Sequence, residues 1–504
     1  MPASSVRSTL TLTAAAVALL LAGCGGGGED SAAAEDTSTI AAAEADGVEA
    51  LPVFHMAPVL PDEPSDIDAD GSSQSAGTAP QTLQVPATQA ALSTARLLPD
   101  QLRARAAAAS DQAGTLATST TATVYTPAQI RAAYGYPTLA ATGTTLSADQ
   151  AASFGSAQTI YIVNAYHHPN VAKDLAVFNQ KFGLPTCTTT TLSASTRLPL
   201  ATPASGSGCA LTIAYASTKA GLASSAPKYN AGWASEIALD VQWAHAVAPM
   251  ARIVLIEAVD ASVNSLLSAI QLAAKMGPGV VSMSFGASEG TWTSQVDGVF
   301  KASGLSYVAA SGDNGTQMNW PAVSGSVLSV GGTTLSYASG SARSETTWSG
   351  SGGGTSAYVA MPSYQGAVSV PGKNGSSPKR AGPDVASNAD PYSGHYVYLT
   401  ASGATTGTWY VFGGTSAGAP QWAAGLAIAN ARRARAGKAV LGQPHPALYQ
   451  GIAAVSATYA AALLDITTGS NGSCTTCSAV TGYDLATGLG SPNAGSLLTA
   501  LQAY

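Results

Sequence analysis

A chain of 504 residues is long enough for roughly two to four ordinary domains or for one large α/β core. With 46% hydrophobic and only 10% charged residues, 53 glycines and a formal net charge of −7, it is too apolar to be disordered. The same balance is too sparse in charge, and of the wrong sign, for a nucleic-acid binder, whereas few ion pairs would be lost when carboxylates protonate in acidic surroundings.

The first predicted element is an export signal over residues 1–23: Arg7 precedes an apolar run at 10–21, which ends in Leu21-Ala22-Gly23-Cys24. Those four residues resemble the processing box of bacterial lipoprotein signal peptides, which implies that Cys24 becomes a lipidated first residue. No other run approaches the ~20 apolar residues needed to span a bilayer, so the expectation is an exported protein either anchored in the membrane through that lipid or released from it by cleavage near residue 122. Of the five cysteines, Cys24 would then be spent on lipid. Cys187 with Cys209 and Cys474 with Cys477 remain as disulfide candidates. A metal reading of Cys474-Thr475-Thr476-Cys477 lacks two further soft ligands.

Residues 24–122 are rich in Ala, Ser, Thr, Pro and Gly and read as a low-complexity tether or a reduced prosegment. Within them stand Leu51-Pro52-Val53-Phe54-His55-Met56-Ala57-Pro58 and a helical stretch over 89–110 broken by Pro99. From about residue 123 to 504 the texture changes. Aliphatic runs at 159–163, 252–256, 280–284, 307–310 and 327–330 alternate with helix candidates at 171–182, 232–247, 265–276 and 296–303. Continuous aliphatic strands alternating with helices predict one α/β domain, a doubly wound and mostly parallel sheet covered on both faces. Sites in such sheets form at the carboxyl ends of strands.

Three places there carry chemistry. On the helix over 232–247, Glu236 and Asp240 stand four residues apart, so both carboxylates leave one face, with no Lys or Arg within a turn or two. Confined in an apolar site they share a proton and serve as acid or base; on a solvated face they are simply two acids. Asp313, in Ser311-Gly312-Asp313, follows the run at 307–310 and can face an oxyanion or merely make a turn. Ser416, in Gly413-Gly414-Thr415-Ser416-Ala417-Gly418-Ala419-Pro420, sits where a glycine turn opens a helix. That is an exposed position for a nucleophile beside free N–H groups, and equally a plain turn with an N-cap. Pro420 is expected in or near the helix's first turn, where no N–H is needed.

Together these residues resemble the sedolisin family of serine-carboxyl peptidases, with further likeness at Tyr125-Thr126-Pro127, Ala133-Tyr134-Gly135, 243–249 and Gly352-Gly353-Gly354-Thr355-Ser356. The likeness runs over about residues 125–504 and implies a subtilisin-like fold acting in acid on proteins or peptides. It implies Ser416 as nucleophile and Glu236 as the base that returns its proton to the leaving amine. Asp240 would be hydrogen-bonded to Glu236, Asp313 would be a protonated oxyanion donor, and Ser284 and Gly286 would line the substrate cleft. It also implies one structural Ca²⁺, held by the Asp465 and Asp484 side chains and by the carbonyls of Ile466, Val480 and Gly482. A monomer is expected.

A conventional Ser/His/Asp site is disfavoured. His245 lies nine residues beyond Glu236, His167 and His168 follow a strand where Asn164 stands in place of an aspartate, and His395 and His445 read as loop residues. An inactive, lipid-anchored binding or adhesion protein on the same scaffold is the alternative from another class. The stretch before residue 123 is shorter and simpler than the folded prosegment usual in the family.

Overall fold

The structure is a computed structural model that describes residues 45–64, 79–86, 89, 97–110, 120–140, 144–338, 340–372 and 378–504. The export signal and Cys24 lie outside the described residues. Among the described residues no helix is long and apolar enough to cross a membrane.

A nine-stranded sheet organises the chain. Eight strands follow the order Ser344–Thr347, Leu328–Ser336, Leu305–Ala310, Gly279–Met283, Thr159–Ala165, Arg252–Ala258, Ala210–Tyr215 and Thr188–Thr191. The ninth, Val385–Asn388, pairs in parallel with Leu328–Ser336. All pairings are parallel except that of the edge strand Ser344–Thr347. The central strands are buried throughout because alternate residues enter two different layers. Ile160, Ile162, Ile253 and Leu255 belong to the core under the helices Ala231–Val247 and Thr415–Arg435. Tyr161, Val163, Val254 and Ile256 belong to the core under the helix Val263–Met276. All five expected strands and the expected helix Val171–Phe182 are present. The candidate at 296–303 is instead a short 3₁₀ turn, Val296–Lys301.

Pro420 is the sixth residue of the serine helix Thr415–Arg435, not a first-turn residue. Its missing N–H leaves the Ser416 carbonyl without its i+4 donor, and the Ser284 hydroxyl lies 3.5 Å from that oxygen. Of the two histidines expected in loops, His395 lies within the strand Ser393–Leu399 and His445 stands at the N-cap position of the π-helix Pro446–Ala453.

The largest departure concerns the supposed tether. Its described pieces are built into the domain: Leu51–Pro52 pairs antiparallel with Phe285–Ser288, and His55–Met56 pairs with Thr408–Gly413. Gln81–Val85 adds to Thr120–Tyr125 at the edge of a five-stranded sheet. Val53, Phe54, Met56 and Ala57 are core residues. Low complexity hid this because the segment needs no core of its own; it borrows one by adding strands to edges already formed.

Cys187 is bonded to Cys209 across 22 residues and Cys474 to Cys477 across 3. The longer bridge removes more unfolded-chain entropy. Replacing Cys187 and Cys209 by serine should lower unfolding free energy by about 3 kcal/mol. The same change at Cys474 and Cys477 should cost distinctly less, both read from denaturant melts.

Candidate active site

The helix Ala231–Val247 is capped by Asn230, whose side chain accepts from the Trp233 N–H, and all but its first two residues are buried. It therefore carries Glu236 and Asp240 into the interior instead of onto a solvated face, and both are fully buried. The turn before the serine helix brings Ser416 to the same place: Ser416 Oγ donates to Glu236 Oε2 at 3.0 Å.

Asp240 is held from the other side. Its Oδ1 accepts from the Ser284 hydroxyl at 2.6 Å and its Oδ2 from the Asn164 amide at 2.8 Å. The expected Glu236–Asp240 hydrogen bond is absent among the described residues: the two Asp240 oxygens face these neutral donors, and Glu236 Oε1 is buried with no partner. The two acids interact through charge. No ion pair reaches either one among the described residues. Burial first, and Asp240 second, push the Glu236 carboxyl well above its ordinary value. Burial pushes Asp240 above its ordinary value too, against the pull of its two hydrogen bonds. Two buried acids without a cation retain a shared proton where free carboxyls would have lost it.

Asp313 closes the third side. Its Oδ1 accepts from the Thr415 N–H at 2.8 Å, and the Thr415 hydroxyl lies at the same 2.8 Å. Thr415 thus ties the Ser-Gly-Asp turn to the serine turn, a positioning role that a Gly-Thr-Ser motif alone does not disclose. Gly414, at φ 92°, is needed here: a Cβ would lie 2.5 Å from Asp313 Oδ2, 2.7 Å from Phe54 Cα and 2.8 Å from Val53 O.

Those last two contacts identify what covers the site. Val53 N–H donates to Glu236 Oε2 at 2.8 Å and to Ser284 O at 3.2 Å, and the Ser416 N–H donates to Val53 O at 3.1 Å. Gly286 pairs with Leu51. Ser284 and Gly286, the expected cleft residues, are therefore the backbone track of an extended segment already present in the chain. Beyond it a cavity of about 620 Å³ opens between His55, Asp313, Trp348 and Asp390.

No histidine reaches Ser416 among the described residues. His245 and His395 are fully buried and held down to about 4, chiefly by that burial. His167 and His168 pair with Glu257 and Asp174. Sequence reasoning noticed Asn164 only as a missing aspartate; its amide is in fact the donor that supports Asp240.

At the expected calcium loop, Asp465 Oδ2 accepts from the Gly482 N–H and Asp484 Oδ2 from the Val480 N–H. Asp484 Oδ1 accepts from the Ala486 and Thr487 N–H groups. So Val480 and Gly482 offer these carboxylates their N–H groups, where the expectation had carbonyls facing an ion. The donor set still suits a hard cation: Asp484 is buried and pushed up to about 6 by that burial, a charge a cation would stabilise. The described group with three metal-type donors close together is Cys187, Cys209 and His245, and its sulfurs are bonded to each other.

The sequence profile of the Subtilase family matches residues 205–475. Among curated proteins, kumamolisin of Bacillus sp. (strain MN-32) is 36% identical over 296 residues, 53% of this chain and 50% of that protein. Sedolisin of Pseudomonas sp. (strain 101) is 32% identical over 216 residues, 38% of this chain and 34% of that protein. The chain thus spans half or less of the length of these relatives. A solved structure of Pseudomonas sedolisin, a serine-carboxyl proteinase complexed with two molecules of pseudo-iodotyrostatin, shares the fold at TM-score 0.55 and 23% identity. It covers 76% of this chain and 99% of that one.

The buried pair predicts a pH dependence of stability. Above the ordinary 3.8 of an aspartate and 4.5 of a glutamate the folded chain keeps protons on the buried pair that the unfolded chain releases, so stability falls as pH rises through that window to the pair's raised values. Melting temperatures of Ser416→Ala, measured across it, should decline, and adding Asp240→Asn should lessen the decline, leaving the part that burial of Glu236 causes.

Proposed function

Because the chain belongs to the subtilase family and, within it, to the sedolisins, we propose that it is a serine-carboxyl peptidase hydrolysing peptide bonds of proteins or peptides in acid. The observation that carries this is the 3.0 Å hydrogen bond from Ser416 Oγ to Glu236 Oε2, made where a histidine base would otherwise stand. Ser416 attacks the substrate carbonyl while its proton passes to Glu236, which returns it to the leaving amine. Asp240, fixed by Ser284 and Asn164, holds the excess proton or charge of the pair. The Ser416 N–H and Asp313 face the oxyanion. Burial is the first cause of the raised Glu236 value. Admitting water with substrate relieves it, leaving a carboxylate base that works in acid.

The same proposal includes one structural Ca²⁺, which the Asp465 and Asp484 carboxylates would hold, with the carbonyls of Ile466, Val480 and Gly482 as its further oxygen ligands. It includes export as a monomer, anchored through lipid on Cys24. Two formed disulfides support an oxidising compartment.

Hydrolysis of a denatured protein should be measured from about pH 3 to 8. The parent should peak in acid. Ser416→Ala should abolish turnover, and Glu236→Gln should lower it by about a hundredfold to ten-thousandfold. A peak near neutrality, or full activity in Glu236→Gln, would contradict the mechanism. Millimolar Ca²⁺ should raise the melting temperature of the parent and leave Asp484→Asn unmoved.

A further inference from the structure

The segment that covers the site lies in the register of a substrate. Four contacts define that register independently. Leu51 pairs antiparallel with Gly286 on the strand Phe285–Ser288. Val53 N–H reaches Ser284 O, the Val53 carbonyl accepts from the Ser416 N–H, and the Val53–Phe54 bond lies over Gly414. An extended chain added to a sheet edge, with one carbonyl delivered to the nucleophile's own N–H, is what a peptidase does to the bond it cuts. The segment lies directly on Ser416 and Glu236: Val53 N–H donates to Glu236 Oε2 and the Val53 carbonyl accepts from the Ser416 N–H.

On either side of Val53–Phe54 the chain is held differently. Upstream, Val48 N–H closes a local turn onto Ala45 O, and the stretch is otherwise held at 261–263, where the helix Val263–Met276 begins: Ala50 N–H donates to Ala261 O, Val48 O accepts from the Val263 N–H, and Glu49 bridges to Ser262. Downstream, His55–Met56 pairs with Thr408–Gly413, Ala57 N–H donates to Val411 O, and Phe54 packs on Phe412 at 5.4 Å. Gln81–Val85 is zipped along Thr120–Tyr125 over five residue pairs.

Resting on the peptidase reading above, we propose that the chain cuts itself at Val53–Phe54, releasing residues 1–53 and keeping residues from Phe54 onward as an integral part of the enzyme. In the first step Ser416 Oγ bonds to the Val53 carbonyl carbon, and its proton goes to Glu236. The Val53–Phe54 C–N bond then breaks as Glu236 protonates the new Phe54 amine. Water hydrolyses the Val53 ester, leaving a carboxyl at Val53 and restoring Ser416. The fragment that leaves carries Cys24, so the cut also separates the enzyme from any lipid there. The boundary of the mature enzyme is thus placed near residue 54 and not near 122.

The test uses the full chain and its Ser416→Ala form, incubated in acid over a wide dilution series, with intact masses and new N-termini determined and digestion of a denatured protein followed in parallel. The parent should yield Phe54 as its new N-terminus at a rate independent of dilution, with residues 54 onward retained in one piece after native separation. Ser416→Ala should stay uncut. Digestion of the added protein with Val53–Phe54 intact, a first cut elsewhere such as near residue 122, or a Phe54 terminus appearing equally in Ser416→Ala would overturn the inference alone. Absence of both digestion and self-cleavage would overturn the inference and the peptidase reading together.

Discussion

Everything at this site depends on two carboxylates sealed in one apolar layer with no cation among the described residues to balance them. Glu236 and Asp240 leave the same face of a helix whose surroundings are core. Desolvation opposes ionising either, and ionising both adds repulsion. The surrounding structure answers that constraint with neutral donors: Ser284 and Asn164 on Asp240, Ser416 and the Val53 N–H on Glu236. Neutral donors stabilise one negative charge without fixing its proton to a site, whereas an arginine would have pinned both acids ionised. The serine's hydroxyl is one of those donors, so the nucleophile is tied to the proton store from the outset.

The sheet explains why these groups meet. Asn164 and Asp313 sit on or just beyond parallel strands, Ser284 follows a third, and the two helices carrying the acids and the serine pack on the same face. The carboxyl ends of parallel strands gather unrelated stretches of sequence in one place.

Much of this was legible in the sequence. Continuous aliphatic runs disclose buried parallel strands because every residue of such a strand faces a layer of core, and the acid pair stood out because nothing basic lay within reach. What was hidden shares one character: it depends on backbone groups or on partners remote in sequence. The two-residue strands at Leu51–Pro52 and His55–Met56 have no periodicity to detect, and a substrate-like register is made of N–H and C=O groups that every residue carries. Asn164, Ser284 and Thr415 are ordinary residue types whose roles come from what lies opposite them, up to 132 residues away in the case of Ser284 and Ser416. The interplay of Val480 and Gly482 with Asp484 and Asp465 is of the same kind, since sequence does not say whether a loop residue offers its N–H or its carbonyl.

The central claim is that the buried pair, not an isolated acid, holds the proton the serine needs. Carboxyl-¹³C resonances of Glu236 and Asp240, assigned through Glu236→Gln and Asp240→Asn and followed across pH in the uncut Ser416→Ala chain, measure it directly. The account predicts two coupled transitions, both above the ordinary 4.5 of a glutamate and 3.8 of an aspartate, each altered when the other acid is replaced. Two independent transitions at those ordinary values would contradict it.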